Sequence, residues 1–212
     1  MVRVKICGIT NVDDALLACE LGADAIGLNF YEKSSRCVSP FAASKVIAKL
    51  PPFVAAIGVF VNWQAAPVAS LAKALGLASA QLHGDESPKL AAETAKKVSV
   101  IKALHVGKGS ALPPFSKYRG VTAFLLDAPH SGQYGGTGRT ADWTAAQTAA
   151  ESHRILLAGG LTPGNVAEAI LAVRPYAVDV TSGVESKPGK KDPAKLRAFF
   201  EAVARANQQL CL

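Results

Sequence analysis

Short apolar runs alternate with Ala- and Leu-rich stretches along the whole chain. Eight runs predict β-strands because they are short, rich in β-branched residues and closed by turn residues. Most lack strict alternation of polar and apolar positions, which is typical of parallel strands buried on both faces. The runs are VRVKIC (2–7), AIGLNF (25–30), VAAIGVFV (54–61), SAQLH (79–83), VIKALHV (100–106), AFLLD (123–127), ILLAG (155–159) and AVDVT (177–181).

The stretches between these runs carry the start signals of helices. Asn11 is a predicted N-cap, and four further caps are each followed by proline at the first helical position. Those four caps are Ser39, Ser87, Thr162 and Asp192. Residues 107–120 are rich in Gly and Pro and predict a segment that is partly loop. Eight strand–helix units predict a single (β/α)8 TIM barrel over residues 1–212, with a doubly wound open sheet as the alternative.

Composition places the chain among globular proteins of the cytoplasm. Hydrophobic residues make up 50% of the sequence, but no apolar run reaches the roughly 18–20 residues that span a bilayer. The N-terminal segment MVRVKICGIT lacks the apolar stretch of a secretory signal, so we expect no membrane partner. The four cysteines form no CxxC pair, and no His–Cys spacing is typical of zinc ligands, so we expect neither a metal nor a disulfide.

The chain is basic, with 23 Lys and Arg against 16 Asp and Glu and a net charge of +7. The basic residues are scattered, and no stripe interleaved with aromatic residues suggests nucleic-acid binding. A positive balance without such a stripe favours an anionic small molecule as the partner. The sequence is compatible with a monomer or a homodimer.

The strand ends carry the candidate chemistry, because the active site of a TIM barrel lies at the carboxyl ends of its strands. Cys7 and Asp127 end the first and sixth strands, and an acid and a base facing each other suit proton transfer without a cofactor. The alternatives are an inert buried thiol and a turn-forming aspartate. Arg36 is a candidate carboxylate ligand or a solvated loop residue, and His83 has a supporting role in substrate binding.

Glycine-rich loops follow the sixth, seventh and eighth strands. In barrels, phosphate is often bound by the last two of these loops and a short extra helix, here predicted from Ser182 to Glu185. Glycines allow backbone N–H groups to approach the phosphate oxygens. The loops are YGGTGRT (134–140), AGGLTPGNV (158–166) and TSGVESKPGKKD (181–192).

Eight segments together resemble the phosphoribosylanthranilate isomerase family of tryptophan biosynthesis. Their order runs from residue 2 to about residue 200 without large gaps. Two departures concern the pocket: Cys37 stands where an aromatic residue often follows the arginine, and Asn29 replaces a more usual apolar residue. The segments are VKICGIT, GADAIGLNFYEKSSRCVSP, IGVFVN, QLHGDE, LLDA, YGGTGRTADW, LAGGLTPGNV and VDVTSGVESKPGKKD.

The resemblance implies an Amadori rearrangement of N-(5-phosphoribosyl)anthranilate to 1-(o-carboxyphenylamino)-1-deoxyribulose 5-phosphate. It implies Asp127 as general acid, Cys7 as general base and Arg36 as the ligand of the anthranilate carboxylate. It implies no cofactor. The phosphate would lie on the loops that hold Gly135, Gly136, Thr137, Gly138, Gly159, Gly160, Ser182 and Gly183.

Two other classes of protein are weighed against this one. Among phosphate-binding barrels, the sugar-phosphate isomerase of histidine biosynthesis is expected to place aspartate at position 7. Indole-glycerol-phosphate synthase is expected to use lysine and glutamate, and a pentose-phosphate epimerase a His/Asp metal cluster. A non-catalytic binder of phospholigands or nucleic acid is favoured by the positive charge alone, and the presence of both Cys7 and Asp127 argues against it.

Overall fold

Eight parallel strands close into one barrel in a computed structural model that describes residues 1–107, 111–128 and 142–210. Each strand pairs with its neighbours in sequence, and β1 pairs with β8 to close the sheet. The predicted (β/α)8 TIM barrel is therefore confirmed, and the open sheet is wrong. The strands are β1 Arg3–Ile6, β2 Ala25–Asn29, β3 Ala55–Phe60, β4 Ser79–Leu82, β5 Val100–His105, β6 Ala123–Asp127, β7 Ile155–Leu157 and β8 Ala177–Val180.

Seven α-helices lie in the described part of the chain. Four predicted caps are confirmed: the side chains of Asn11, Ser39, Ser87 and Asp192 each accept a backbone N–H of the first turn that follows. The helices are α1 Val12–Glu20, α2 Pro40–Ile47, α3 Ala65–Leu75, α4 Pro88–Ala95, α5 Trp143–Ala150, α6 Val166–Val173 and α7 Pro193–Leu210.

The cap predicted at Thr162 is wrong, because α6 begins three residues later than the proline rule suggests. Asn165 occupies the N-cap position, and residues 163–165 form a turn. The Asn165 side chain accepts the Thr162 N–H at 2.7 Å and donates to the Gly160 carbonyl at 3.0 Å. These contacts give the loop after β7 a fixed shape before the helix starts.

Two further segments refine the prediction. Between β5 and β6, the described residues of 107–120 contain only a 310 helix at Phe115–Lys117, as expected of a partly looped segment. After β8, a 310 helix covers Ser182–Val184, but Glu185 starts a strand instead of continuing it. That strand, β9 (Glu185–Lys187), pairs with β10 (Lys190–Lys191) in an antiparallel hairpin that no pattern in the sequence predicts.

The apolar core has two parts. One lies between the strands and the surrounding helices, and the other fills the amino-terminal part of the barrel interior with small and branched side chains such as Ile57, Ile101 and Leu125. Above this plug the interior becomes polar. Among the described residues, no helix is long and apolar enough to cross a membrane.

Candidate active site

A cavity of about 770 Å³, its open mouth included, lies at the carboxyl ends of the strands. Its wall brings together residues that are up to 176 positions apart in the sequence. Gly135, Gly136, Thr137 and Gly138, also predicted to bind phosphate, lie outside the described residues. All eight of the described candidates line the cavity: Cys7, Arg36, His83, Asp127, Gly159, Gly160, Ser182 and Gly183.

Cys7 follows β1 directly and lines the cavity. Its backbone N–H donates to the Val180 carbonyl at 2.9 Å, so the last pairing of β1 with β8 fixes its position. Its side chain is buried but reaches the cavity. The neighbouring β2 has Gly27 beside it, and a β-carbon there would lie 2.7 Å from the Cys7 sulfur. The glycine within β2 therefore makes room for the thiol.

Lys5 lies two residues before Cys7, on the same face of β1, inside the barrel. Its ammonium donates to Asp179 of β8 at 2.8 Å, and these two residues are register partners. Burial alone would lower the pKa of Lys5, but Asp179 and the adjacent Cys7 side chain outweigh it and raise that pKa. Lys5 therefore stays positively charged next to the thiol.

Arg36 reaches the cavity from the loop after β2 and is held by Glu185 of β9. The guanidinium donates through Nε at 2.9 Å and through Nη2 at 2.6 Å to the two carboxylate oxygens. Lys191 of β10 contacts the same carboxylate at 3.1 Å and donates to the Cys7 carbonyl at 2.7 Å. Burial would raise the pKa of Glu185, but hydrogen bonds from Arg36 and the charge of Lys191 lower it. The hairpin after β8 thus orients Arg36.

The charges around Cys7 do not cancel within this group of described residues. Lys5, Arg36 and Lys191 are cationic, whereas Asp179 and Glu185 are the two carboxylates paired with them. Counted in full, one positive charge is left over in this largely buried site, and burial there lowers the pKa of Lys191 although Glu185 and Cys7 act to raise it. The end of β1 therefore favours an additional negative group.

Asn29, one of the two departures from the family pattern, organises the loop that carries Arg36. Its Oδ1 accepts the Tyr31 N–H at 2.8 Å, and its Nδ2 donates to Ser34 Oγ at 3.2 Å. Ser34 Oγ in turn accepts the Arg36 N–H at 3.2 Å. A polar side chain at this position is therefore satisfied within the loop, and the other departure, Cys37, is exposed outside the cavity.

Asp127 ends β6 and lines the same cavity as Cys7. It is buried, and its Oδ1 accepts the Ala128 N–H at 2.8 Å. Its Oδ2 lies 3.3 Å from Nε2 of His83, which follows β4. Nδ1 of His83 lies 2.7 Å from the amide nitrogen of Gln81, which is fully buried on the same strand. A chain of polar contacts thus links β4 to the carboxyl group of β6.

A buried ion pair between Lys102 and Glu86 stabilises the turn that follows His83. Lys102 of β5 donates to Glu86 at 2.8 Å and to the Gly84 carbonyl at 2.7 Å. Glu86 also accepts the Gly84 N–H at 2.9 Å. Both charges are nearly inaccessible to solvent, and their hydrogen bonds compensate their burial.

The loops after β7 and β8 pack tightly against each other at the rim. A β-carbon on Gly183 would overlap the Leu161 carbonyl oxygen, so only glycine fits in the 310 turn after β8. Gly159, Gly160, Ser182 and Gly183 all face the cavity there. The arrangement has backbone groups and a hydroxyl where the sequence predicts a phosphate site.

Sequence reasoning missed Lys5, Asp179, Gln81, Glu185 and Lys191. Charged residues inside the apolar strands VRVKIC and AVDVT were an available signal for Lys5 and Asp179. Gln81 likewise interrupts an apolar strand. Glu185 and Lys191 had no such signal, because their partner Arg36 is 149 residues away from Glu185 along the chain. Within the described ranges, no cluster of three or more His, Cys, Asp or Glu side chains could hold a metal ion.

The chain is similar to known proteins over nearly its whole length. The model of the N-(5'-phosphoribosyl)anthranilate (PRA) isomerase family matches residues 4–202. The N-(5'-phosphoribosyl)anthranilate isomerase of Pelobacter propionicus is 53% identical over 200 residues, covering 94% of each chain.

Two solved structures share the fold over nearly their whole length. The dimeric phosphoribosylanthranilate isomerase of Thermotoga maritima, solved as monomers, is 40% identical with a TM-score of 0.83, covering 97% of this chain and 100% of that one. A phosphoribosylanthranilate isomerase bound to reduced 1-(o-carboxyphenylamino)-1-deoxyribulose 5-phosphate is 40% identical with a TM-score of 0.82, at the same coverage. The chain therefore belongs to the phosphoribosylanthranilate isomerase family and has the isomerase activity of tryptophan biosynthesis.

Proposed function

We propose that this chain performs the isomerisation by general acid–base catalysis, with Asp127 as the acid and Cys7 as the base. The observation that carries the proposal is that one cavity is lined by both side chains, on different strands. Its substrate is then N-(5-phosphoribosyl)anthranilate, and its product is 1-(o-carboxyphenylamino)-1-deoxyribulose 5-phosphate. No group outside these side chains is needed for the proton transfers.

The reaction divides into two proton transfers and a tautomerisation. Asp127 donates its proton to the furanose ring oxygen, the bond from that oxygen to C1′ breaks, and the ring opens to a protonated Schiff base. The thiolate of Cys7 then removes the proton from C2′, and the electron pair neutralises the Schiff base to give an enolamine. Tautomerisation of the enolamine gives the ketone, so the product is an isomer of the substrate.

The surroundings of Cys7 support its role as a base. The thiolate is the reactive form of cysteine, and cationic neighbours are the usual means by which proteins favour it. Lys5 contacts the Cys7 side chain, and Lys191 donates to its carbonyl. These cationic neighbours support the assignment of the base to Cys7.

The two anionic ends of the substrate have separate binding regions in this proposal. Glu185 occupies Nε and one Nη2 position of Arg36, which leaves the remaining N–H groups of the fork available for the anthranilate carboxylate. The rim formed by Gly159, Gly160, Ser182 and Gly183 takes the phosphate. His83 lies beside Asp127. In this proposal the ribose lies between the carboxylate and phosphate regions, next to these two side chains.

The cytoplasm is the proposed location, because the described cysteines Cys7, Cys19 and Cys37 are free thiols. The small anionic substrate accounts for the positive charge of the chain, without nucleic acid as a partner. The direct test of the reaction is the fluorescence decay of phosphoribosylanthranilate, generated in situ, with and without the protein.

Arg36→Ala is expected to raise KM for phosphoribosylanthranilate about 10- to 100-fold while kcat changes much less. Hydrogen bonds to a charged group contribute about 1.5–3 kcal/mol, which corresponds to this range of affinity. Steady-state kinetics with the fluorescence assay measure both constants. The exposed Arg119, changed to alanine, is the matched control and keeps wild-type constants. An Arg36→Ala enzyme with unchanged KM would remove the carboxylate-binding role.

The chain also has a surface suited to a homodimer at the opposite, amino-terminal end of the barrel. Phe53 is fully exposed there with a left-handed backbone (φ 74°), and Tyr176 beside the same depression is 42% exposed. An exposed aromatic residue held in a strained turn is typical of a contact surface. The dimeric relative from Thermotoga maritima supports association of this chain with a second copy.

Phe53→Asp is expected to convert a dimer of twice 22.0 kDa into a monomer, because it places a charge in the apolar contact. Light scattering coupled to size-exclusion chromatography measures the mass. The kcat stays near the wild-type value, since the active site is at the other end of the barrel. Phe41→Asp, on the outer surface of α2, is the control that leaves the mass unchanged. A wild-type protein that is monomeric at micromolar concentration contradicts the proposal.

A further inference from the structure

We propose that Gln81 is a positioning residue for the acid step: its amide holds His83 in the tautomer that presents Nε2–H to Asp127. The inference rests on the acid role proposed above for Asp127. It concerns a residue that does not line the active-site cavity and acts only through the His83 ring.

The contact between Gln81 and His83 determines which ring nitrogen carries the proton. The Gln81 amide nitrogen lies 2.7 Å from His83 Nδ1. An amide nitrogen can donate a hydrogen bond but not accept one, so Nδ1 is the acceptor. The single proton of a neutral imidazole is then on Nε2, the nitrogen that lies 3.3 Å from Asp127 Oδ2.

The burial of Gln81 indicates that its contact with His83 contributes favourably to the structure. Gln81 is fully buried, and its Oε1 has no hydrogen-bond partner in the part of the chain that the structure describes. A buried polar atom without a partner costs about 1–3 kcal/mol. An apolar side chain of similar volume would avoid this cost, so the favourable contribution of Gln81 lies in the bond from its amide nitrogen to His83.

The contact from His83 to Asp127 is longer than an aligned hydrogen bond. Nε2 and Oδ2 are close enough for an ion pair, but their alignment falls short of a hydrogen bond. Catalytic hydrogen bonds often tighten only when substrate is bound. Among the described residues, other titratable groups near the ring include His105 of β5, with a ring centroid 6.2 Å away, and Cys7 in the same cavity.

This arrangement stabilises the product of the acid step. When Asp127 gives its proton to the furanose oxygen, its carboxyl group becomes a carboxylate. His83 keeps its own proton and donates a hydrogen bond from Nε2 to the new negative charge. The hydrogen bond strengthens only as negative charge develops on Asp127. It therefore lowers the barrier of the step rather than strengthening substrate binding. The opposite tautomer would place a nitrogen lone pair against the carboxylate.

The tautomer can be read directly by ¹⁵N NMR of the histidine rings, with His83→Asn used to assign the signals. We expect neutral His83 to be protonated at Nε2 in the wild-type protein. A wild-type ring protonated at Nδ1 would overturn the inference, whatever the kinetics of any variant. This measurement does not involve turnover, so it is independent of the role of Asp127.

Two variants test the effect on catalysis. Gln81→Met removes the donor and is expected to lower kcat about tenfold with KM within twofold of the wild-type value. Gln81→Glu replaces the donor by an acceptor. At low pH the doubly protonated ring still presents Nε2–H, but at higher pH its one proton stays on Nδ1, so kcat is expected to fall as pH rises. A Gln81→Glu enzyme with the wild-type pH profile would contradict the inference.

The exposed Gln64, changed to methionine, is the matched control and keeps the wild-type kcat and pH profile. Circular dichroism checks that each variant is folded, and the wild-type NMR spectrum remains decisive even without a folded Gln81→Glu protein. The proposed acid role fails separately, if Asp127→Asn keeps its activity. In that case the Nε2–H tautomer would still be observed.

Discussion

Cys7→Ala is expected to lower kcat for phosphoribosylanthranilate by about 10²- to 10⁴-fold, the usual contribution of a general base. Alanine cannot accept the C2′ proton, and the described residues place no other thiol in the cavity. The change corresponds to roughly 3–5.5 kcal/mol in the barrier. Single-turnover measurement of the fluorescence decay isolates the chemical steps from product release.

The fold should survive this substitution, because it removes one sulfur atom from a site that opens to the cavity. We expect the free energy of unfolding to change by about 1 kcal/mol, as for an average point substitution. Cys37→Ala removes an exposed thiol outside the cavity and is the matched control. If the Cys7→Ala enzyme turned over like the Cys37→Ala enzyme, Cys7 would not be the base.

Asp127→Asn is expected to lower kcat by about 10²- to 10⁴-fold as well, because the amide cannot donate a proton to the furanose oxygen. Asparagine keeps the shape of the side chain and the oxygen that accepts the Ala128 N–H. The loss therefore reflects acid chemistry rather than a displaced loop. The fluorescence assay over a range of pH gives kcat, and thermal unfolding reports the stability.

The exposed Asp13 on α1, changed to asparagine, provides the control for removal of one negative charge. It should leave kcat unchanged. Asp127→Asn should also give an enzyme that still binds the product, since Arg36 and the rim of the cavity are untouched. Wild-type turnover by Asp127→Asn would exclude it as the acid and would require another proton donor in the cavity.

The strand ends illustrate how far the sequence determines a site in this fold. A chain that repeats strand and helix eight times must close its barrel with all carboxyl ends at one rim. Cys7 and Asp127 therefore face the same cavity by topology alone, although 120 residues separate them. The same rule brings Gly159 and Gly183 together at the rim. Local patterns were sufficient to predict which residues line the cavity, because a residue at the end of any strand of the repeat lies at the same rim of the barrel.

Other features depended on contacts that no local pattern contains. The start of α6 is set by the bonds of Asn165 to the preceding loop, which compete with the proline signal at Pro163. The orientation of Arg36 depends on Glu185, on a hairpin that two short strands form after β8. Strands of three and two residues are too short to show a period in the sequence.

The sequence by itself determined the barrel, the family and the residues at its rim. Buried parallel strands, and the capped helices between them, recur at regular intervals along the chain. The tertiary structure alone decided the electrostatics of the site. Lys5 finds Asp179 across the seam where β1 meets β8, and Gln81 reaches His83 inside the barrel. These pairs form because the sheet closes and the side chains are buried, and closure and burial both require segments that are distant in the sequence to come together.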